Sequence, residues 1–286
     1  MRPSPKSLIL DLLSSVRGEA MPVRALVAAG EVFGISAQSM RVALVRLLER
    51  DTIERNERGL YRIAPAAQPV QAHVAGWTRI EERVVPWRGG WIGVHTASLG
   101  RADRGRLRAR ARALQFLGFA ALESELFIRP DNLKGGVEAV RAELQGLGLD
   151  ASAPVFAMAQ LDAATDARAR ALWDSPALCR AYRTRRAELA RSTTRIGAKP
   201  AREAMAESFI LGGHTVRQLA LDPLLPEPIV PAGERAALVE AMREYDRLGR
   251  ACWRPFMRAH GAPHLQTPRT AVAAHWPQRS GEEARV

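Results

Sequence analysis

The 286-residue chain has two cysteines, three lysines and only 6% aromatic residues. Cys179 and Cys252 are too few for a disulfide framework and form no CxxC pair. A cysteine-based zinc site is thereby excluded, and a reducing cytosol is the matching compartment. No apolar run approaches the roughly 18 residues that a bilayer crossing needs. Met1–Lys6 leads into a helical pattern with a charge at Asp11 rather than into a secretory h-region, so the expectation is a cytoplasmic protein with no membrane partner. P-loop, GxGxxG, GxSxG and HExxH patterns are all missing. His260 and His264 stand four apart, but Gly261 and Pro263 break the helix that would present both to a metal. The expectation is a protein that is not an enzyme, with no catalytic residues, no metal and no cofactor.

What is present is apolar residue and positive charge. With 47% hydrophobic and 25% charged residues, the chain can bury a sizeable core and divide into two or three domains. The formal net charge is +12, and all but three of the 42 basic residues are arginine. Such a chain seeks polyanions, and arginine's planar fork grips phosphates and guanine edges bidentately. GC-rich coding bias produces the same arginine excess without any function. The charge is uneven: residues 1–66 carry a net +3, Arg101–Arg112 a net +5, and 180–202 a net +7.

Ala64–Val70 and the proline-punctuated 221–231 read as linkers, and 258–286 as a flexible tail. The expected divisions are therefore 1–66, 67–165 and 166–257, followed by that tail. In the first segment, Leu8, Leu12 and Leu13 mark one helix, Val23–Phe33 a second, and Gly34 ends it. Ser36 can cap a third, in which Met40, Ala43, Leu44, Leu47 and Leu48 form one buried stripe. The opposite face carries Gln38, Val42, Val45 and Glu49, flanked by Ser39, Arg41 and Arg46. Ile53–Asn56 and Leu60–Ile63 then alternate around Glu57-Arg58-Gly59 as a hairpin. Three helices and a basic hairpin suggest a winged helix-turn-helix, with the third helix in a major groove and Arg55, Arg58 and Arg62 on phosphate or the minor groove. The plainer alternative is a small helical cap with a solvated hairpin. The candidate DNA-binding set is Ser36, Gln38, Ser39, Arg41, Val42, Arg46, Arg55, Arg58 and Arg62.

SLILDLL at 7–13 and SAQSMRVALVRLLERDTI at 36–53 resemble the opening of the PaaX-type regulators, the repressors of phenylacetate degradation. WRGGWIGV at 87–94, FLGFAALESELFIRP at 116–130 and LALDPLLPEPIVP at 219–231 follow that family's order, so the resemblance runs from about residue 6 to about residue 257. It implies a homodimeric repressor of an aromatic catabolic operon, released from double-stranded operator DNA by an acyl-CoA such as phenylacetyl-CoA. It also implies an α+β chain with a winged-helix head, a ferredoxin-like (Cas2-like) α/β sandwich and a helical carboxy-terminal domain. The chain departs from the family at Arg50-Asp51-Thr52-Ile53, where a Gly-Trp-containing helix exit is usual, and at Arg88-Gly89-Gly90, where the family has Asp-Gly.

The residues themselves give strands at Trp91–His95, Glu125–Ile128 and Val155–Leu161, with helices carrying Leu107–Leu117 and Val137–Leu147 between them. That order fits a ferredoxin-like sandwich. The arginines at 104, 106, 108, 110 and 112 alternate around their helix and are not expected to form a single-faced stripe. Three further helices follow, the first interrupted near Pro176. Arg183, Arg186, His214 and Arg217 are the candidate ligand residues, because an acyl-CoA needs an arginine cluster beside an apolar slot. The alternative is a packed helical histidine and surface arginines. Two rival functions remain: a Cas2-like metal-dependent nuclease, for which WIGVHTASLG supplies His95 but no carboxylate, and a DNA-binding protein without ligand control.

Overall fold

The computed structural model describes residues 3–16, 18–100 and 102–263. Residues 264–286, with His264 and most of the expected tail, lie outside them. The fold is mixed α+β, with two small antiparallel sheets.

Ser4 opens helix α1 (Pro5–Ser15) by accepting from the Ser7 amide at 3.1 Å, and Pro5 takes a first-turn position where its missing N–H costs nothing. Leu8, Ile9, Leu12 and Leu13 bury the inner face of α1 against α2 (Val23–Val32) and α3 (Ala37–Leu48). Three strands complete this unit: β1 (Met21–Pro22), β2 (Ile53–Arg55) and β3 (Leu60–Ile63), in the order β1-β3-β2. Two residues are too short for β1 to show as alternation in the sequence. Pro22 suits it, because an edge strand can spare an N–H.

The segment 64–70 is not a loose linker. A 3-10 turn (Pro65–Ala67), α4 (Gln68–Ala75) and a second 3-10 stretch (Gly76–Arg83) carry the chain forward and bury Trp77 and Ile80. Pro65 and Pro69 misled the reading because both stand at helix starts, where proline is tolerated. Strand β4 (Trp91–His95), α5 (Arg104–Phe116), β5 (Ala120–Glu123), β6 (Leu126–Pro130), α6 (Gly136–Leu147) and β7 (Val155–Met158) follow, with sheet order β5-β6-β4-β7. Gly93 stands opposite Ile128 on one side and Phe156 on the other. Strand β5 was not legible: it is an edge strand of low β propensity whose register shifts between Ala121 and Glu123. Strand β7 stops short of Leu161, with Gln160 at φ 58° just beyond it.

Four helices follow among the described residues: α7 (Ala163–Arg170), α8 (Ser175–Ile196), α9 (Ala201–Ala220) and α10 (Ala232–Ala259). Pro176 does not interrupt a helix; it starts α8, with Asp174 accepting from the Ala177 amide at 2.8 Å. Helix α10 continues past residue 257, where the tail was expected to begin, to Ala259.

The 221–231 segment, expected as a linker, is a strap through the interior. Leu224, Leu225, Ile229 and Val230 are buried in a core shared by the four-stranded sheet and the C-terminal helices. Asp222 is its anchor: it accepts from the Tyr182 hydroxyl at 2.6 Å and the Leu224 amide at 2.9 Å, with Arg235 Nη1 3.9 Å away. Arg235 also meets Glu81 at 2.8 Å and donates to the Leu225 carbonyl at 3.2 Å. Burial pushes the Asp222 carboxyl above the usual carboxylate range, while Arg235 and Tyr182 pull it back. The second core is that of the head, and it is completed by Met205, Trp253 and Met257 from α9 and α10. Phe33 packs against Phe209 at a centroid distance of 5.2 Å, Trp253 donates to the Met205 carbonyl at 3.0 Å, and Arg24 donates to the His260 carbonyl at 2.9 Å.

Removing one member of a buried ion network strands the others. Arg235→Ala should therefore lower unfolding free energy by about 3–5 kcal/mol, read as an earlier urea midpoint.

Candidate nucleic-acid interface and ligand cavity

Helix α3 begins at Ser36, whose hydroxyl accepts from the Ser39 amide at 3.2 Å and bonds the Ser39 hydroxyl at 2.9 Å. Met40, Leu44 and Leu47 point inward, with Ala43 and Leu48 half-buried beside them. Gln38, Ser39, Arg41, Val42, Val45, Arg46 and Glu49 are exposed together. Val42 and Val45, 38% and 54% exposed, are two of the four large apolar side chains on the described surface. Arg41 and Arg46 make no ion pair among the described residues. The face offers hydrogen-bonding groups, methyl groups and free cations.

Beside it, the β2–β3 hairpin turns at Asn56–Gly59. Asn56 Oδ1 accepts from the Arg58 and Leu60 amides at 3.1 and 2.9 Å, and Gly59 sits at φ 74°, which a Cβ would strain. Arg58 projects from the tip, and the Arg55 guanidinium lies 5.8 Å from the Tyr61 ring centroid. Arg62 is different. It stands opposite Glu54 in the β2–β3 register, is ion-paired to it, and has a side chain only 14% exposed. Its charge is spent inside the sheet, so the free cations of the hairpin are Arg55 and Arg58.

The four candidate ligand residues do not form one cluster. Arg183 and Arg186 both turn to Glu234 at the start of α10, at 2.6 and 3.8 Å. His214 and Arg217 are exposed on α9, where Arg217 acts electrostatically on Asp11 of α1. Partial burial, with Arg185 nearby, holds the His214 imidazole below its ordinary value. The linear count of charge around 180–202 concealed this, because Glu188, Glu207 and Glu234 come in from the same and neighbouring helices.

A cavity of about 650 Å³ opens elsewhere, between α5, β6 and the strap. Leu107, Leu114, Phe119, Phe127, Trp173 and Leu178 give it apolar walls, and Leu221 and Pro223 close one side. Its inner polar groups are already engaged: Thr96 donates to Glu125 Oε2 at 2.7 Å, and Arg110 pairs with Asp150 at 2.9 Å. The sequence stripe Leu107, Ala111, Leu114 marked this face of α5 as core, and half of it instead lines the opening.

As expected, the five arginines of α5 do not share one face. Arg106 and Arg110 both pair with the one carboxylate of Asp150, while Arg104, Arg108 and Arg112 stand four apart, exposed and without an ion pair among the described residues. Those three form a row, because each four-residue step rotates only about 40° around a helix. None of the three lines the cavity, to which α5 contributes Leu107, Arg110, Ala111, Leu114 and Gln115.

His95 is exposed at the end of β4, and no group of three or more His, Cys, Asp or Glu residues that could hold a metal occurs among the described residues. No described helix is long and apolar enough to cross a membrane.

Ser36→Ala removes the cap of α3 and should cost about 1 kcal/mol of stability, measured by urea unfolding, with the hairpin untouched.

The chain matches no protein-family model and no curated protein. It is similar in structure to the uncharacterized protein Rv0674 from Mycobacterium tuberculosis, at 24% identity over 87% of this chain and 98% of that chain, with a TM-score of 0.54. That likeness shows a shared fold.

Proposed function

We propose that the protein is a sequence-specific DNA-binding transcriptional repressor. In this reading the first unit is a winged helix-turn-helix: the order of three helices and three strands, with sheet order β1-β3-β2, is that motif's arrangement. The β-α-β-β-α-β run with order β5-β6-β4-β7 is a ferredoxin-like sandwich. The observation that carries the proposal is the outer face of α3, where Gln38, Ser39, Arg41, Val42, Val45 and Arg46 are exposed together and both arginines are uncommitted.

Each group has a task in a major groove. Gln38 can reach an adenine edge, Arg41 or Arg46 a guanine edge or a phosphate, and the two valines the methyl group of thymine. Arg55 and Arg58 fit backbone or minor-groove contact, which positions the head without reading sequence. Ser36 and Ser39 bond each other and shape the helix start, so Ser36 serves the site through α3. A homodimer would place two heads on successive grooves of a pseudo-palindromic operator and block polymerase. Release needs a ligand with different affinities for the bound and free geometries, and the family resemblance supplies an acyl-CoA of aromatic catabolism.

Fluorescence anisotropy on DNA from upstream of the gene and of neighbouring catabolic genes, at fixed salt, tests the proposal. Arg41→Ala should lower specific affinity by roughly 1–3 kcal/mol and relax preference at one base pair. An equal loss on scrambled DNA would assign Arg41 to phosphate. Val45→Glu should abolish specific binding with little change in the unfolding midpoint, since Val45 is 54% exposed. Equal affinity of the wild type for specific and scrambled DNA would overturn the reading.

A further inference from the structure

A second cavity, of about 660 Å³, opens at the other end of the four-stranded sheet, where the 85–90 loop, the end of β6, the start of α6 and the residues just past β7 come together. It shares no lining residue with the cavity beside α5. Its volume lies within the roughly 300–1,000 Å³ typical of small-molecule sites. Val85, Pro86, Leu133 and Ala159 give it apolar surface, and the side chains of Arg88, Asp131 and Gln160 are its polar members. Those three are unspent. Asp131 is half-buried, and among the described residues every other buried or half-buried carboxylate has a hydrogen bond or an ion pair, whereas Asp131 has neither. A carboxylate drawn partly out of water without a donor is destabilising, so this one is placed for a partner from outside the chain. Arg88 is exposed on the facing loop and is equally free among the described residues. The two are near neighbours, since Arg88 stands two residues before Gly90, whose carbonyl accepts from the Asp131 amide at 2.9 Å. They nevertheless form no ion pair with each other. Gln160 completes the set with a side-chain amide that has no partner among the described residues, on a backbone at φ 58°. That conformation costs a non-glycine residue roughly 1–3 kcal/mol, and strain of this kind gathers where a side chain must be presented.

We propose that this cavity binds a zwitterion with an apolar body, a free amino acid or a short peptide. Asp131 holds the ammonium, the planar fork of Arg88 takes the carboxylate in bidentate fashion, and Gln160 meets a further polar group beside them. Val85 and Leu133 receive the apolar body. A guest with a single charge leaves one of the two rim charges unanswered, and an uncharged guest leaves both, so the pair selects for opposite charges on one small molecule. The site lies apart from the outer face of α3, and it does not rest on the repressor reading.

Calorimetric titration of the full chain, free of DNA, with L-leucine, N-acetyl-L-leucine and L-leucinamide tests the site, because the second probe lacks the ammonium and the third lacks the carboxylate. Leucine should bind more tightly than either by on the order of tenfold. Arg88→Gln should bring leucine down to the affinity of leucinamide and leave leucinamide itself unchanged. Asp131→Asn should in the same way bring leucine down to N-acetyl-leucine. Asp131 also acts at a distance on the buried Arg129, so Arg88→Gln and Ala159→Trp, both at exposed positions on the lining, keep the test independent of any change in stability. Ala159→Trp fills the opening and should weaken all three probes. Leucyl-leucine separates the two sources: tighter binding than leucine upholds the site with a peptide as occupant, and weaker binding upholds it with the free amino acid. Equal affinity for leucine and both single-charge probes, leucine affinity unchanged in Arg88→Gln and Ala159→Trp, or no binding of any probe by the wild type would overturn the site.

Discussion

The structure depends on a carboxylate placed where one is expensive. Asp222 is buried with Tyr182, Arg235 and Glu81 around it, and each comes from a different part of the chain: α8, the start of α10, and the 3-10 stretch before the sheet. Buried charge is tolerated only when it is paired and hydrogen-bonded, so these segments cannot separate without exposing an unpaired ion. The four prolines of 221–231 limit the strap's freedom before it folds, and the ion network decides where it lies. With the strap fixed, the sheet and the helices share one core, and the cavity acquires a rigid wall.

Positive charge along the chain and positive charge available to a partner are different quantities. The densest run, 180–202, is largely consumed by Glu188, Glu207 and Glu234, and Arg202 spends its donors on the Glu31 and Val32 carbonyls of the head. The smaller surplus on α5 leaves three free arginines, and the modest one on the head leaves Arg41, Arg46, Arg55 and Arg58. Carboxylates distant in sequence make this difference, and Asp150 does so across forty residues for Arg110.

What was legible in the sequence follows the range of the forces involved. Local periodicity located α3 and its two faces, and the turn chemistry of Asn56–Gly59 located the hairpin, because both are decided within about ten residues. Strands β1 and β5 were missed, since each exists only through pairing with a strand elsewhere. Proline suggested loops at 65–69 and 221–231, and tertiary burial overrode that suggestion in both. The exposed outer face of α3 was accessible to pattern, while the pairing of Arg62 was not, because its partner lies across the hairpin. The cavity was not, because its walls come from α5, β6, Trp173, the start of α8 and the strap, and no spacing rule joins those positions.

The head's core is finished by Met205, Trp253 and Met257, roughly two hundred residues downstream of the helices it supports. During synthesis the head leaves the ribosome first, yet the aromatic floor beneath Phe33 arrives only with Phe209 of α9 and Trp253 of α10. Contacts of such sequence separation are slow to form and leave apolar surface waiting. The nascent chain thus carries α3 on an incomplete foundation until α10 is made. A truncated product ending before Trp253 would lack a finished head core, so the outer face of α3 gains its full support only when α10 is present.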